Sequence, residues 1–313
     1  MIAKWHLKAL VQKTISFFPY KEKCNYFFQK NVTKGVNLTD YYFEIKVMHA
    51  RDHLNYFKDL SANTNNKNTS TLEIGTGWYP IVPISFFLCG YDQLISIDLQ
   101  NWLTKKSLFS TIEKFLEREE NGKLYTDLPL INKNQVEKLK SIYQESQNFS
   151  LEEILARLKL KYIVGDINTM NLELESINYI SSNNTFEHIE KESLEKIIAL
   201  FYKLLKPNGI MSHFIDMTDH FAHFDRSIST LNFLKFSDKH WKIIDNSIQS
   251  QNRMRFKDFV NIYKENLIPI TKEKTESCSL EVLKNLTVDK KFNTYSLEEL
   301  AISHAYIVSK KIS

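Results

Sequence analysis

The chain has few of the residues that mark the specialised classes of protein. Its 313 residues include only 7 glycines, 6 prolines and 3 cysteines. The cysteines are scattered, odd in number and without CxxC spacing, which argues against a disulfide framework and a thiolate zinc site. No run of about 20 apolar residues, the length that spans a bilayer, occurs in the sequence. These absences favour a cytoplasmic globular protein with reduced thiols.

An excess of charge of one sign is also missing. The chain has 41 basic and 37 acidic residues and a formal net charge of +4. Dedicated nucleic-acid binders carry a strong basic field, so this balance argues against a nucleic-acid partner, although it leaves a local basic patch open. What the chain does have is 43% hydrophobic and 13% aromatic residues, enough for a large core.

The N-terminal end is basic and partly apolar. It has no clean apolar core region and no small-residue cleavage site, which argues against a signal peptide. Trp5, Leu10 and Phe17 fit an interfacial helix that faces lipid, so peripheral membrane contact stays open. The favoured interpretation is an amphipathic helix packed on the protein itself.

The chain divides at a polar stretch. Residues 1–60 show helical periodicity, whereas residues 61–70 have almost no apolar side chain. We therefore predict an N-terminal helical extension or lid over residues 1–65 and a main domain over residues 66–313. Charged helical runs within about 99–159 are too long for a simple crossover and predict a helical insertion in that domain.

Strand and helix patterns alternate through the main domain. This alternation predicts an α/β fold, a doubly wound and mostly parallel seven-stranded sheet. The predicted strands are 71–74, 94–97, 161–164, 177–181, 210–215, 267–271 and 305–309. The predicted helices outside the insertion are 81–88, 189–205, 229–236, 253–265 and 296–302.

Two of the few glycines, Gly75 and Gly77, stand where the strand at 71–74 gives way to a helix. Glycine lets the backbone turn sharply and lets a ligand approach without a Cβ in the way. The helix start adds free N–H groups that suit a phosphate or a carboxylate. A dinucleotide site would favour a third glycine near Pro80 and no acid at Glu73. Glu73 favours a ligand with a cationic end, such as S-adenosylmethionine, over a nicotinamide cofactor.

Two further acids end neighbouring strands. Asp98 follows the second predicted strand, where a carboxylate can accept hydrogen bonds from both hydroxyls of a ribose. Asp166 follows the third, where an acceptor can meet the exocyclic amine of adenine. Each alone is a common residue at a strand end. Together with Glu73 they predict a nucleoside-binding edge of the sheet.

With these residues the sequence resembles the class I S-adenosylmethionine-dependent methyltransferases, which have a Rossmann-like fold. The resemblance spans roughly 70–215 and includes the closing strand. It rests on LEIGTGWYP (72–80), ISIDL (95–99), VGDI (164–167), INYISSNNTFEHI (177–189), LLKPNGIMSHF (204–214) and ISHAYIVSK (302–310).

The resemblance implies S-adenosylmethionine as cofactor and assigns residues to it by position. It places Glu73, Gly75 and Gly77 at the methionine part and Asn183 along the methionine arm. It also gives Asp98 the ribose and Asp166 the adenine. Two departures affect the expected geometry: Tyr79 replaces a glycine of the turn and Asn178 replaces an acid of the fourth strand.

The segment after the fifth strand is rich in groups for acid–base chemistry. It reads DMTDHFAHFD over 216–225 and leaves the sheet at the edge where ligands of such folds bind. We name His220, His223 and Asp216 as catalytic candidates, because a histidine can take a proton from a hydroxyl or amine acceptor. A structural turn is an open alternative. We assign no metal, although the spacing of His220 and His223 leaves one open.

Three further residues are candidates for contact with the acceptor. His188 follows the fourth strand near the expected cofactor site, and a purely structural role at the helix start is an equal alternative. Asn252 and Arg253 could grip a carboxylate, phosphate or sugar acid. Solvated polar positions are the alternative for these two.

These features predict methyl transfer to an O or N nucleophile of a small-molecule or glycan-type acceptor. The alternatives are methylation of RNA or protein, a noncatalytic S-adenosylmethionine-binding module, and an NAD-linked oxidoreductase. The sequence leaves the acceptor, the methylated atom and the oligomeric state open.

Overall fold

The structure is a computed structural model that describes residues 4–18, 37–61, 68–246 and 250–312. Parts of the predicted helical extension and of the polar stretch that follows it, and Cys24, lie outside these ranges.

The strands are β1 (Ser70–Ile74), β2 (Gln93–Asp98), β3 (Leu160–Val164), β4 (Ile177–Asn183), β5 (Leu205–Asp216), β6 (Lys272–Ser277) and β7 (Ile302–Lys310). The helices are α1 (Lys4–Ile15), α2 (Asp40–Leu60), α3 (Ile81–Leu88), α4 (Lys105–Glu120), α5 (Leu124–Asp127), α6 (Lys133–Glu145), α7 (Leu151–Arg157), α8 (Lys191–Leu204), α9 (Asp238–Ile244), α10 (Phe256–Glu265), α11 (Leu280–Lys284) and α12 (Leu297–Ala301).

The seven strands form one sheet in the order β3-β2-β1-β4-β5-β7-β6. Strands β1 to β5 are parallel, whereas β7 runs antiparallel to both β5 and β6. The strand order reverses between β1 and β4, so the carboxyl ends of these two strands flank the crevice where such folds bind ligands. The predicted fold class is confirmed.

Helices cover both faces of the sheet because its central strands are buried on both sides. Every residue of β1 and of α3 is buried. Helix α3 packs with α2 and the insertion helices on one face, while α8 and α10 build the core of the other. On α8, Leu194, Ile198 and Phe201 recur at helical spacing and are fully buried, which fixes the helix on the sheet.

The N-terminal helices pack on the rest of the molecule at two places. Helix α2 buries Phe43, Val47 and Leu54 in the core that it shares with α3. Helix α1 buries Trp5, which is only 4% exposed, so Trp5 does not face lipid and agrees with the favoured interpretation of a helix packed on the protein itself. Leu10 and Phe17 are exposed. Among the described residues, no helix is long and apolar enough to cross a membrane.

Two predicted elements are misplaced. The strand predicted over 267–271 lies instead at Lys272–Ser277, an edge strand whose residues are all exposed and mostly charged or polar. An exposed edge strand with alternating apolar residues would promote aggregation, so edge strands often lack that alternation. The sequence of this strand therefore has no apolar periodicity from which it could be predicted. The helix predicted over 229–236 is a short 3-10 turn, Asn232–Lys235. The Ser229 hydroxyl accepts a hydrogen bond from the Leu231 amide there, and such local bonds compete with an α-helix.

Candidate active site

The turn after β1 needs its two glycines for different reasons. Gly75 and Gly77 have φ of +78° and +72°, a region that other L-residues rarely adopt. A Cβ on Gly75 would also lie 2.1 Å from Thr185 Oγ1, whereas one on Gly77 would meet nothing within 4 Å. Tyr79 is not among the residues with positive φ, so its place in the turn needs no glycine.

A cavity of about 610 Å³ opens beside this turn at the carboxyl ends of β1 to β4. Gly75, Gly77, Asp98 and Asp166 all contribute to its wall. The Gly77 amide donates to both oxygens of Asp98 at 3.1 Å, which ties the turn to the end of β2. The bare backbone and the two carboxylates fit the methionine, ribose and adenine parts of S-adenosylmethionine.

Aromatic rings close one side of this cavity. Trp102, just beyond β2, lines it and packs on Trp78 of the glycine turn with ring centroids 4.6 Å apart. Tyr162 on β3 accepts a hydrogen bond from the Trp102 amide at 3.1 Å, which holds the loop in place. The contact between Trp78 and Trp102 was not predicted from the sequence, because the sheet has to form before the two rings meet.

The two acids of β1 and β2 are buried and hold on to protons more strongly than usual. Burial raises the pKa of Glu73 to about 7, although hydrogen bonds and Lys46 oppose the rise. Burial also raises the pKa of Asp98 to about 6, against the Gly77 amide and Tyr162. A cationic or hydroxyl-bearing ligand would favour the ionised forms.

Glu73 and Asn183 lie together behind the cavity wall. The Glu73 carboxylate accepts from Thr76 Oγ1 at 2.7 Å and from Asn183 Nδ2 at 3.5 Å. Asn183 Oδ1 lies 3.0 Å from His53 Nε2 on α2. Contact of these two side chains with the methionine part stays a prediction.

Asn178, the other departure, has a structural role. Its Oδ1 accepts hydrogen bonds from the Ser70 amide and hydroxyl and from Lys206 Nζ, all at 3.0–3.1 Å. The amide therefore joins the starts of β1, β4 and β5, at the opposite end of these strands from the carboxyl edge.

Three histidines lie within 4 Å of the Asp216 carboxylate, at the carboxyl end of β5. Its Oδ2 lies 3.6 Å from His220 Nε2 and 3.8 Å from His223 Nε2, and its Oδ1 lies 3.5 Å from His304 Nε2. Thr218 donates to Oδ1 through both its amide and its hydroxyl. Burial acts to raise the pKa of Asp216, but His220, His304 and Thr218 outweigh it and hold the pKa below its usual range.

His188 joins this cluster to the cavity. It lines the cavity, and its ring lies edge-on to that of His220 with centroids 4.9 Å apart. Burial lowers the pKa of His188 to about 4, and the neighbouring His220 contributes, so the ring is neutral at pH 7. The structure thus brings His188, predicted as an acceptor contact, together with the catalytic candidates His220, His223 and Asp216.

Asn252 and Arg253 belong to the framework. Asn252 Nδ2 donates to the carbonyl oxygens of Phe186 and Ile189, and its Oδ1 accepts from the Met254 amide. Arg253 donates to two backbone carbonyls and, at 2.6 Å, to Asp238. These bonds use the groups that a ligand would need, so we do not carry the two residues forward as acceptor contacts.

Two charged residues of the site were missed from the sequence. Lys46 on α2 donates to Asn184 Oδ1 at 3.0 Å, and burial lowers its pKa although Glu73, Glu187 and Asp216 oppose this. No local pattern separates it from the surface lysines. Glu187 stands beside His188 in the TFEHI segment, and its place a few residues after the fourth predicted strand was a usable signal.

One comparison with known proteins bears on the class of the protein. Residues 131–212, which include β3, β4 and the region of Glu187 and His188, match the family model of a methyltransferase domain. No curated protein sequence matches the chain. This match, which covers about a quarter of the chain, supports the predicted S-adenosylmethionine-dependent methyltransferase and its predicted cofactor.

Solved structures with a similar arrangement are distant in sequence. Phosphoethanolamine N-methyltransferase 2 from Haemonchus contortus is 13% identical, with a TM-score of 0.44, and the alignment covers 84% of this chain and 52% of that one. A geranyl diphosphate methyltransferase is 10% identical, with a TM-score of 0.45 and coverage of 86% and 77%.

A methyltransferase from Methanosarcina mazei is 11% identical, with a TM-score of 0.41 and coverage of 78% and 92%. The chain spans about half the length of the Haemonchus protein.

Proposed function

We propose that this chain transfers a methyl group to an O or N nucleophile of a small-molecule or glycan-type acceptor. The observation that carries the proposal is the position of His188, which lines the cofactor cavity and touches the cluster of acid and histidine groups at the end of β5. A nucleophile held at this junction lies between a methyl donor and a proton acceptor.

The residues at the cofactor end would position the methyl donor for transfer to the acceptor. When bound, S-adenosylmethionine provides a methyl group activated by its sulfonium sulfur. Asp98 and Asp166 would hold the nucleoside, and the Gly75–Gly77 backbone would let the methionine part come close. Glu73, with Asn183 behind it, would pair with the ligand's ammonium. Fixed positions for both reactants account for most of what a methyl transfer needs.

The acceptor side supplies the base. The acceptor atom forms the bond to the methyl carbon, the carbon–sulfur bond breaks with its electron pair left on sulfur, and the acceptor proton passes to a histidine. His220 and His223 are the candidates, and Asp216 would stabilise the imidazolium that forms, since it lies within 4 Å of both.

The N-terminal extension and the insertion support an enclosed acceptor. The Trp5 amide donates to Asp225 at 3.1 Å and its ring packs on Phe221, so α1 covers the segment after β5. Arg118 of the insertion pairs with Glu44 of α2. We propose that residues 1–65 act as a lid on the methyltransferase domain, and that the protein works in the cytoplasm.

The charge balance favours a small acceptor over RNA. Binding to RNA draws on a row of unpaired basic side chains. The basic residues nearest the site are engaged: Lys46 bonds to Asn184 and Lys8 lies over the rings of Phe221 and Phe224.

The experiment is a methyl-transfer screen with radiolabelled donor against four pools: sugars and nucleotide sugars, small alcohols and amines, total RNA, and total protein. We expect label in one of the first two pools. Label confined to RNA or protein would contradict the proposed acceptor class. Binding of the cofactor without transfer to any pool would favour a noncatalytic module.

A further inference from the structure

Glu187 is a buried carboxylate to which no side chain of the described residues donates a hydrogen bond. Its side chain is 1% exposed, and neither oxygen accepts a hydrogen bond of normal length from any residue that the structure describes. Burial and the nearby Asp216 raise its pKa well above the usual range, and backbone amides and Lys46 oppose this only in part. A buried carboxylate that lacks a partner destabilises the folded protein unless a ligand satisfies it.

The adjacent residue, His188, is held with one nitrogen free. Its Nδ1 lies 2.5 Å from the Ser250 carbonyl oxygen, which can only accept, so Nδ1 carries the hydrogen. The Ser250 hydroxyl in turn donates to the His188 carbonyl oxygen at 3.0 Å. The lone pair is therefore on Nε2. A backbone carbonyl behind one ring nitrogen is the arrangement that orients metal-binding histidines.

His220, which lies just beyond the end of β5, is the third residue of the cluster with Glu187 and His188. Its Nε2 is buried and makes no hydrogen bond of normal length within the described ranges, although Asp216 stands 3.6 Å away. One potential ligand atom each from Glu187, His188 and His220 lie within 4.8 Å of one another. His223, by contrast, bonds to Thr218 Oγ1 and is exposed.

From this geometry we propose that Glu187, His188 and His220 bind one divalent transition-metal ion. Two imidazoles and one carboxylate suit Zn²⁺, Mn²⁺ or Fe²⁺ better than Mg²⁺, which prefers oxygen ligands. Metal–ligand bonds are about 2.0–2.2 Å, so the three side chains need only small rotations to close on an ion. Because His188 also lines the cavity, an ion has a route in from solvent.

If the proposed function holds, this ion would act on the acceptor. Three protein ligands leave coordination positions open for an acceptor oxygen. A bound hydroxyl loses its proton more readily, because the ion stabilises the developing negative charge. The proton would then pass to His223, since His220 serves the metal. The acceptor would be an alcohol, with the hydroxyl oxygen as the methylated atom.

The test measures metal binding directly, without turnover. Protein stripped with a chelator is titrated calorimetrically with Zn²⁺ and with Mn²⁺, and bound metal is counted by mass spectrometry after gel filtration. The variants are Glu187→Gln, which keeps the shape and removes the charge, and His220→Ala. The matched control is His240→Ala, an exposed histidine on α9.

We expect one ion per chain in the wild type and in His240→Ala. Affinity should fall at least about tenfold in Glu187→Gln and His220→Ala, since loss of even an outer partner of a metal ligand costs this much. Unchanged S-adenosylhomocysteine binding by the variants would show that they are folded.

Wild-type protein that binds no ion, or variants that bind it as tightly as His240→Ala, would overturn the proposal. This result is separate from the proposed function, because a protein that binds the ion but methylates no acceptor would keep the site and lose only its role in catalysis.

Discussion

The two ends of the active site are built in different ways. The cofactor end uses a short run of sequence, Glu73 to Gly77, closed by Asp98 only 21 residues further along. The acceptor end joins α1, α2, β4, β5 and β7, which bring Lys46, His188, Asp216 and His304 together from across the chain. The first is a local motif and the second is a product of tertiary structure.

This difference indicates that cofactor binding depends on a local sequence motif, whereas the proposed chemistry depends on tertiary contacts. A turn with two left-handed glycines and a strand-end acid can bind a nucleoside in any chain with this sheet. The three histidines around Asp216, and the buried carboxylate of Glu187 nearby, depend on contacts particular to this molecule. Changes at the two ends should therefore separate cofactor binding from turnover.

The largest expected effect is at the acceptor end. His223→Ala should lower kcat by roughly 10²–10⁴-fold, the usual contribution of a general base. S-adenosylhomocysteine affinity should stay within about twofold, since His223 lies outside the cofactor cavity. Single-turnover kinetics with the acceptor found in the screen measure the first and calorimetry the second. Unchanged kcat would remove His223 from the mechanism.

The next comparison is within the cofactor turn. Gly75→Ala should lower the free energy of unfolding by about 2–5 kcal/mol, because left-handed strain adds to the clash with Thr185. Gly77→Ala should lower it by about 1–2 kcal/mol from strain alone. Urea denaturation of both variants measures the difference. Equal losses would mean that Thr185 moves aside without cost.

A smaller effect is expected from pH. Glu73 has a pKa of about 7 in the free protein, and a bound ammonium would lower it. Affinity for S-adenosylhomocysteine should therefore be full above pH 7 and decline as the pH falls, by about tenfold from pH 8 to pH 6. Glu73→Gln should bind more weakly at pH 8, with a flatter profile. An equally steep profile in the variant would place the ammonium elsewhere.

The sequence was sufficient for the sheet and for the cofactor end, because both leave local patterns. Strand-end acids and the glycine turn are adjacent to apolar runs that periodicity reveals. Strand β6 gave no such pattern, since all its residues are exposed. Arg253 was predicted to contact the acceptor, with a solvated charge as the alternative, yet its guanidinium is buried against backbone carbonyls that only the fold brings near.

At the acceptor end the sequence supplied the residues but not their arrangement. His220 and His223 stand out because the segment 216–225 is rich in histidine and aspartate, and His188 stands out because it follows the fourth predicted strand. Lys46 could not be found, because its hydrogen-bond partner Asn184 lies 138 residues away. The pairing of Glu187 with His220 depends on β4 and β5 lying side by side, which the sequence implies only once the strand order is known.

The most direct test of the account is calorimetric titration of the purified protein with S-adenosylhomocysteine, repeated on Asp98→Ala. Asp98 lines the cavity and holds the Gly77 amide, so we expect micromolar binding by the wild type and a loss of at least about 100-fold in the variant. Thermal unfolding of the variant checks that it is folded. Binding that survives Asp98→Ala unchanged, or no binding by the wild type, would contradict the assigned cofactor site.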